Sequence, residues 1–145
     1  MKIAIACDHA ATEAKDALAA HLKKSGYDVT DCGTHGTTSV DYPDLAVTAC
    51  KLVASGEAER GILLCGSGIG MSIAANKVKG IRAAMVSESL SARLCREHND
   101  ANVLCLGARF IGPAMIQECA EVFLKTAFGG ERHQKRVDKL NKLDC

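Results

Sequence analysis

The fold of this 145-residue chain is decided by the stretch Gly61-Ile62-Leu63-Leu64-Cys65-Gly66-Ser67-Gly68-Ile69-Gly70. It begins with a short apolar run that stops at a cysteine, and glycines follow at alternate positions. An apolar run bounded by glycines is typical of a buried parallel strand. The glycines free the backbone for a tight turn in which several N–H groups can face an anion. The stretch therefore predicts a strand that ends at a ligand-binding turn, with a thiol at the junction.

Strand-like and helix-like segments alternate along the rest of the chain. Apolar runs predict five strands, which are Ile3–Cys7, Tyr27–Cys32, Gly61–Cys65, Ile81–Val86 and Val103–Leu106. Amphipathic stretches predict helices over 11–24, 45–54, from the glycine turn to 77, over 89–97, from 113 onward, and in a basic tail at about 130–145. Strands alternating with helices imply right-handed βαβ units. We therefore expect one α/β domain over 1–145, a three-layer sandwich with a five-stranded parallel Rossmann-like sheet.

Composition argues against several classes of protein. The formal net charge is +1, with acids and bases interspersed, so the charge pattern does not suggest a nucleic-acid or membrane-surface partner. Two tyrosines, three phenylalanines and no tryptophan leave few rings on which bases could stack. No apolar run approaches the roughly 20 residues needed to span a bilayer. We expect neither a nucleic-acid nor a membrane partner.

The chain has many cysteines for its length. The eight are Cys7, Cys32, Cys50, Cys65, Cys95, Cys105, Cys119 and Cys145. No C-x-x-C pair occurs, and no group has zinc-finger spacing. Most fall within apolar patterns, where a free cysteine behaves as a small buried hydrophobe. A core of this size needs no bridges, so we expect reduced thiols in a cytoplasmic protein without a metal.

Parallel strands bring their carboxyl ends to one edge of the sheet, where such folds bind ligands. Residues that follow predicted strands are Asp8, His9, Ser87 and Arg109, and Cys65 ends the third strand. A helix N-terminus beside a thiol favours its thiolate form. Cys65 is either a thiolate base at the rim of a site or one more core cysteine, and its place before Gly66 favours the first. Ser67 could cap the following helix, donate to the thiol, or do both.

Three familiar glycine-loop motifs match this loop only in part or not at all. A Walker A loop needs Gly-Lys-Ser/Thr, which is missing. A dinucleotide fingerprint fits Gly66 and Gly68 but has Met71 at its last position, although Glu88 stands at about the right distance to meet a ribose. A cysteine phosphatase would want an arginine where Met71 stands. An uncharged loop suits a developing oxyanion better than a phosphate dianion. A thiolate beside such a loop fits proton abstraction next to a carbonyl.

Several segments together resemble the type B ribose-5-phosphate isomerase family, to which galactose- and allose-6-phosphate isomerases are related. The segments are Ala6–Ala10, Asp41–Asp44, Gly61–Lys77, Gly80–Ala83, Glu97–Asp100 and Gly130–Gln134. The resemblance covers nearly the whole chain in order and spacing. It implies reversible conversion of an aldose phosphate to a ketose phosphate, without metal or nucleotide cofactor.

The resemblance also implies a role for each matching residue. Cys65 would be the base that moves a proton between C1 and C2 of the sugar, where some relatives place an acidic residue. The backbone of Gly66, Ser67, Gly68, Ile69 and Gly70 would form the anion hole, with the Ser67 hydroxyl kept where many relatives have threonine. His98 would open the furanose ring and Asn99 would hold sugar oxygens. The remaining substrate-binding residues would be Asp8, His9, Arg109, Arg132 and Arg136. The basic tail would reach across a homodimer, or a dimer within a tetramer, so that each site is built from two chains.

Without the resemblance, the residues themselves leave the roles of His98, Arg132, Arg136, Asp8 and His9 open. His98 follows a predicted helix, where it could be a turn histidine or an acid–base group near neutral pH. Arg132 and Arg136 lie four apart on one face of the tail, where they could grip a phosphate or simply face water. Asp8 and His9 could merely cap the first helix.

We expect a sugar-phosphate aldose–ketose isomerase, acting on ribose 5-phosphate and ribulose 5-phosphate through an enediolate. The first alternative is an isomerase of allose or galactose 6-phosphate, because pentose and hexose differ in the pocket depth they need. The second alternative is a nucleotide-binding regulatory module that uses the same glycine turn and Glu88.

Overall fold

A computed structural model describes residues 1–143. Its strands are β1 (Lys2–Cys7), β2 (Asp28–Asp31), β3 (Arg60–Cys65), β4 (Ala83–Met85) and β5 (Val103–Gly107). Its helices are α1 (Thr12–Lys24), α2 (Tyr42–Ser55), α3 (Ile69–Ala75), α4 (Ser89–Asn99), α5 (Pro113–Lys125) and α6 (Gln134–Asn141), with a 3₁₀ turn over Glu131–His133. The strand order is β2-β1-β3-β5-β4 and every neighbouring pair is parallel. The predicted five-stranded parallel α/β fold is confirmed.

Two apolar layers lie on opposite faces of the sheet, because alternate residues of a strand point to opposite sides. In β3, Ile62 and Leu64 join the layer that α1, α4 and α5 cover. Leu63 and Cys65 join the layer beneath α2 and α3. Both faces are therefore buried, which explains why the central strands are continuous apolar runs rather than alternating ones.

The element boundaries differ from the predicted ones mainly at the sheet edges. β2 and β4 are shorter than the apolar runs that predicted them, since each edge strand pairs on one side only. On the free side of β4, the Asn76 side chain accepts from Ala83 N–H at 2.9 Å and donates to Ala83 C=O at 3.0 Å. α2 starts at Tyr42 rather than at residue 45, because Pro43 suits the first turn of a helix.

The basic tail is helical from Glu131 to Asn141, as predicted. Asp144 and Cys145 of the predicted tail lie outside the described residues. The seven cysteines within residues 1–143 are all free thiols. Burial raises the pKa of Cys50 to about 12 and, as the main cause, those of Cys95 and Cys119 to about 11. These thiols therefore serve as packing groups.

None of the helices in residues 1–143 combines the length and apolar character needed to cross a membrane.

Candidate active site

A cavity of about 560 Å³ lies at the carboxyl edge of the sheet, where β1, β3 and β5 end. Its lining includes Asp8, His9, Tyr42, Cys65, Gly66, Ser67, Ile69, Gly70, Arg109 and Phe110. A second cavity of about 350 Å³ between α1 and α5 is lined mainly by alanines and aliphatic side chains. The first cavity brings together a thiol, a carboxylate, an imidazole and a guanidinium, so it is the one equipped for chemistry.

Cys65 lies at the last position of β3, and only 5% of the residue is exposed. Its Sγ accepts a hydrogen bond from the backbone N–H of Gly68 at 3.0 Å. A backbone N–H aimed at sulfur interacts more strongly when the sulfur carries a negative charge. The thiol is therefore at the wall of the cavity, with a fixed dipole directed at it.

Gly68 makes this contact possible through its backbone conformation. Its φ is 77°, in the left-handed region that glycine adopts without strain. A Cβ at this position would also lie 2.9 Å from the carbonyl carbon of Leu106 and 3.1 Å from the nitrogen of Gly107. The loop can thus turn its amide onto Cys65 only because residue 68 has no side chain.

Two amides of the predicted anion hole already have partners within the loop. The Gly68 N–H donates to Cys65, and the Ile69 N–H donates to Ser67 Oγ at 3.2 Å. The Ser67 hydroxyl thus accepts from the first amide of α3, although the N-cap of that helix is Gly68 rather than Ser67. The first-turn amide of Gly70 has no acceptor one turn earlier in α3, so it can face a ligand.

Asp8 and His9 follow β1 and are held by local hydrogen bonds. Asp8 Oδ1 accepts from the N–H of Ala10 at 3.0 Å, which orients its carboxylate in a tight turn. His9 Nδ1 accepts from the N–H of Val40 at 3.3 Å. Because Nδ1 accepts, the proton of the neutral ring is on Nε2. His9 therefore has a fixed tautomer, with Nε2–H as its remaining donor.

Tyr42 is a lining residue that sequence reasoning missed. Its ring lies against Gly70, where a Cβ would come within 2.7 Å of Tyr42 Cζ. Tyr42 lies in Asp41–Asp44, one of the segments that carry the resemblance, but no local pattern shows that the first residue of α2 contacts α3. Phe110 was also missed, and it stands 60% exposed at the cavity.

A second group of predicted residues lies near the amino-terminal ends of the strands, opposite the cavity. α4 starts after β4 and runs back toward the amino ends of the strands, where Gly61 N–H donates to Asn102 C=O. His98 and Asn99 end this helix. β3 alone separates Gly61 from Cys65 by about 13 Å. One chain therefore does not bring His98 to Cys65.

The His98 ring stacks on that of His133, with centroids 4.5 Å apart and planes inclined by 18°. Burial, followed by the positive charges of His98, Arg132 and Arg136, lowers the pKa of His133. The end of α4 and the basic tail thus form one cationic cluster, separate from the cavity of the same chain.

A sequence model described as ribose/galactose isomerase matches residues 3–140. The chain belongs to the ribose/galactose isomerase family. Ribose-5-phosphate isomerase B of Escherichia coli is 43% identical over 143 residues, covering 99% of this chain and 96% of that protein.

Solved structures of ribose-5-phosphate isomerase B are also similar to this chain. Ribose-5-phosphate isomerase B of Clostridium thermocellum superposes with a TM-score of 0.97 at 50% identity, covering 99% of this chain and 97% of that one. Ribose-5-phosphate isomerase B of Mycoplasma genitalium, solved with bound ribulose 5-phosphate, gives a TM-score of 0.94 at 40% identity, covering 97% and 94%. The predicted family is confirmed, and the chain is a sugar-phosphate isomerase.

The structure of this ribose/galactose isomerase divides the predicted site residues into two sets. One set lines the cavity and consists of Asp8, His9, Cys65, Gly66, Ser67, Ile69, Gly70 and Arg109. Gly68 lies behind it as the donor to sulfur. The other set is on α4 and the tail and consists of His98, Asn99, Arg132 and Arg136.

Glu88 has a role that differs from ribose binding. Its carboxylate accepts from the N–H of Leu90 at 2.6 Å and of Ser91 at 2.9 Å, so it caps α4. Hydrogen bonds from Ser91 are the main cause of its lowered pKa. A helix start explains the acid at this position, which removes the main support for a nucleotide site.

Within residues 1–143, one group of three side chains has the spacing of metal ligands, namely Asp16, Asp31 and His35. The buried ammonium of Lys15 lies among them, 2.7 Å from Asp31 and 3.1 Å from Asp16. His35 Nδ1 is 3.5 Å from the same nitrogen. The positive charge of Lys15 fills the place that a cation would take.

Proposed function

We propose that this isomerase interconverts ribose 5-phosphate and ribulose 5-phosphate, with Cys65 as the base. The observation that carries the proposal is the Gly68 N–H directed at Cys65 Sγ on the wall of the polar cavity. The thiolate removes the proton from C2 of the open aldose, and the negative charge moves to O1. Return of that proton to C1, with a proton shift from O2 to O1, gives the ketose. The thiolate is regenerated, so the cycle balances without a redox partner.

The loop after β3 stabilises the enediolate in this proposal. Its first-turn amide at Gly70 can donate to the developing oxyanion, while Gly68 and Ile69 hold the thiol and Ser67 in place. Removing a donor of this kind typically costs about 10²–10³-fold in rate. Asp8 and His9 Nε2–H offer an acceptor and a donor to the sugar hydroxyls, and Arg109 adds a positive charge.

The second set of residues comes from another copy of the chain in this proposal. His98 acts as the acid that opens the furanose, Asn99 holds sugar oxygens, and Arg132 and Arg136 bind the phosphate. Three apolar side chains at the cavity mouth are exposed to solvent, which supports such a contact. Ile69, Ile73 and Phe110 are 47%, 58% and 60% exposed. A partner that covered them would bury apolar area while delivering its basic tail.

A hexose phosphate is the second candidate, because the matching family description names galactose as well as ribose. The loop over 34–39 follows β2 and is tied to the start of α1. Thr12 Oγ1 donates to Gly36 C=O at 2.7 Å, and Val40 N–H donates to His9. In this structure Tyr42, rather than that loop, lines the cavity.

The substrate is tested by offering the purified protein ribose 5-phosphate, allose 6-phosphate and galactose 6-phosphate separately. We expect ketose formation with the highest kcat/KM on ribose 5-phosphate. A higher kcat/KM on either hexose phosphate would overturn the substrate assignment and leave the thiol base in place.

The shared site is tested with dimers of two inactive variants, Cys65→Ala and His98→Asn. Both chains are co-expressed with different tags, and the mixed dimer is isolated through both tags. Each variant alone is expected to be inactive on the cyclic aldose. The mixed dimer pairs one intact Cys65 with one intact His98, so half of the wild-type activity should return. An inactive mixed dimer would contradict sites built from two chains.

A further inference from the structure

Asp100 follows His98 and Asn99 directly and ends α4 in a left-handed conformation, with φ 47°. Two arginines hold its carboxylate. Arg96 Nη1 donates to Oδ1 at 2.8 Å, and Arg82 Nη2 donates to Oδ2 at 3.2 Å. A non-glycine residue in this conformation needs support from its surroundings. These two guanidinium groups therefore help to fix the direction in which the chain leaves α4, together with the backbone hydrogen bond from Ala101 N–H to Cys95 C=O at 3.0 Å.

Arg82 also donates hydrogen bonds to the end of α4 and to α6, the two elements that carry the second set of site residues. Its Nε donates to the carbonyls of Asn99 and Asp100 at 3.2 and 3.1 Å, and its Nη2 donates to Asp100 C=O at 2.8 Å. Its Nη1 donates to Asn141 Oδ1 at 3.0 Å, at the end of α6. One planar side chain, 18% exposed, thus joins the end of α4 to the far end of the tail.

Two other contacts join α4 to the near end of the tail. Gly129 N–H donates to Glu97 C=O at 3.0 Å, and the ring of His133 stacks on His98. We name residues 97–100 and 129–141 the α4–tail unit. It is held at both ends, and Arg82 provides the contact at the α6 end.

We propose that Arg82 is a positioning residue for the reaction, one that acts on the partner's cavity rather than on its own. It sets the α4–tail unit so that His98, Asn99, Arg132 and Arg136 enter the neighbouring cavity together. The proposal rests on the shared site of the proposed function. Arg82 itself lies before β4, at the edge of the sheet opposite Cys65.

Lysine cannot replace Arg82 in this role. The guanidinium reaches two carbonyls, a carboxylate and an amide oxygen through three nitrogens in one plane, whereas an ammonium is a single point of charge. We expect both Arg82→Ala and Arg82→Lys to lower kcat/KM by about 10- to 100-fold, since misplacement by about 1 Å can cost 10²-fold.

Mixed dimers test whether the defect of Arg82→Ala lies in the α4–tail unit, which carries His98, or in the cavity, which carries Cys65. Arg82→Ala is paired with Cys65→Ala in one dimer and with His98→Asn in another. In the first dimer, the intact cavity of the Arg82→Ala chain meets the intact α4–tail unit of its partner, so half of the wild-type activity should return. In the second, both defects lie in α4–tail units, so activity should stay at or below half of the Arg82→Ala level.

The opposite pattern, with activity restored by His98→Asn and not by Cys65→Ala, would overturn the proposal. So would full activity of Arg82→Ala alone, or no recovery in either mixed dimer. The dimer of Cys65→Ala with His98→Asn separates the two failures. If that dimer is active, a failure concerns Arg82 alone; if it is inactive, the shared site fails and the role of Arg82 fails with it.

Two further variants control for folding. Asn141→Ala removes only the contact between Arg82 and α6, so it should lower kcat/KM by a smaller factor and show the same pattern in mixed dimers. Arg93→Ala removes an exposed arginine of α4 that pairs with Glu97, and its activity should stay within about twofold of wild type. A loss with Arg93→Ala equal to that with Arg82→Ala would show a general effect on α4 and contradict the proposal.

Discussion

The rings of His98 and His133 are stacked at 4.5 Å although they belong to segments more than 30 positions apart. Two imidazoles at this distance resist carrying positive charge together, and Arg132 and Arg136 add to the repulsion. The tail thus brings a second titratable ring onto the proposed acid. The protonation state of His133 is therefore coupled to any anion that binds beside these cationic side chains.

We predict that His133 titrates below its ordinary pKa near 6.5, because burial and then the charges of His98, Arg132 and Arg136 disfavour its protonated form. Since the folded chain then binds fewer protons than the unfolded chain, the free energy of unfolding should decline as pH falls below about 6.5. NMR titration of the histidine ring signals measures the pKa. His98→Ala should raise it, and a pKa at or above 6.5 in the wild type would contradict the prediction.

Cys65 should be the cysteine that substrate protects from alkylation. It lines the cavity, whereas Cys50, Cys95 and Cys119 have pKa values raised by burial to about 11 or 12. Raised values keep those thiols protonated and unreactive near neutral pH. Peptide mapping by mass spectrometry after brief treatment with iodoacetamide gives the modified positions. Equal labelling of Cys65 with and without ribulose 5-phosphate would argue against its place in the site.

Gly68→Ala should impair both folding and turnover. The new methyl group would meet the carbonyl carbon of Leu106 at 2.9 Å, and the left-handed conformation adds strain of about 1–2 kcal/mol. If the loop shifts to relieve the contact, the N–H leaves Cys65 and kcat falls. Thermal unfolding and steady-state kinetics measure the two effects. Gly36→Ala is the matched control, because its φ is also positive but it has open space around it; a similar loss of kcat there would show backbone strain alone.

The ion pair of Lys15 with Asp31 should stabilise the fold. Burial works against both charges, but their hydrogen bonds outweigh it, lowering the pKa of Asp31 and raising that of Lys15. The pair is therefore fully formed above the unfolded pKa of aspartate, near 3.9, and below that of lysine, near 10.4. Its contribution is lost as pH falls through the folded pKa of Asp31 or rises through that of Lys15.

Asp31→Asn leaves the buried ammonium without its main partner and should cost about 3 kcal/mol in the free energy of unfolding at pH 7. Asp16→Asn removes an acid that is 59% exposed, and it should cost less than about 1 kcal/mol. Urea unfolding compares them. Equal costs for the two substitutions would show that burial of the pair is unimportant.

The fold could be predicted from sequence because its central strands are apolar on both faces and alternate with amphipathic helices. The cavity residues on β1, β3 and β5 were predictable for the same reason, since parallel strands end at one edge. The side chain of Tyr42 was not, because its contact with Gly70 depends on how α2 crosses α3. The burial of Lys15 was not predicted either, because the acid that pairs with it comes from the neighbouring strand β2.

The separation of His98 from Cys65 was implied by topology once the resemblance had suggested a site made by two chains. The length of α4 carries His98 back along the sheet, so the pattern of strands and helices contains this information. The contacts of Arg82 could not be predicted, because they join three segments that only tertiary packing brings together.

Asn76 has a consequence for how copies of this chain can associate. Its side-chain amide pairs with the backbone N–H and C=O of Ala83 on the outer margin of β4, as a neighbouring strand would. Sheet-to-sheet extension across that margin is thereby blocked, and the chain is protected there against the open-ended polymerisation to which bare strand edges are prone.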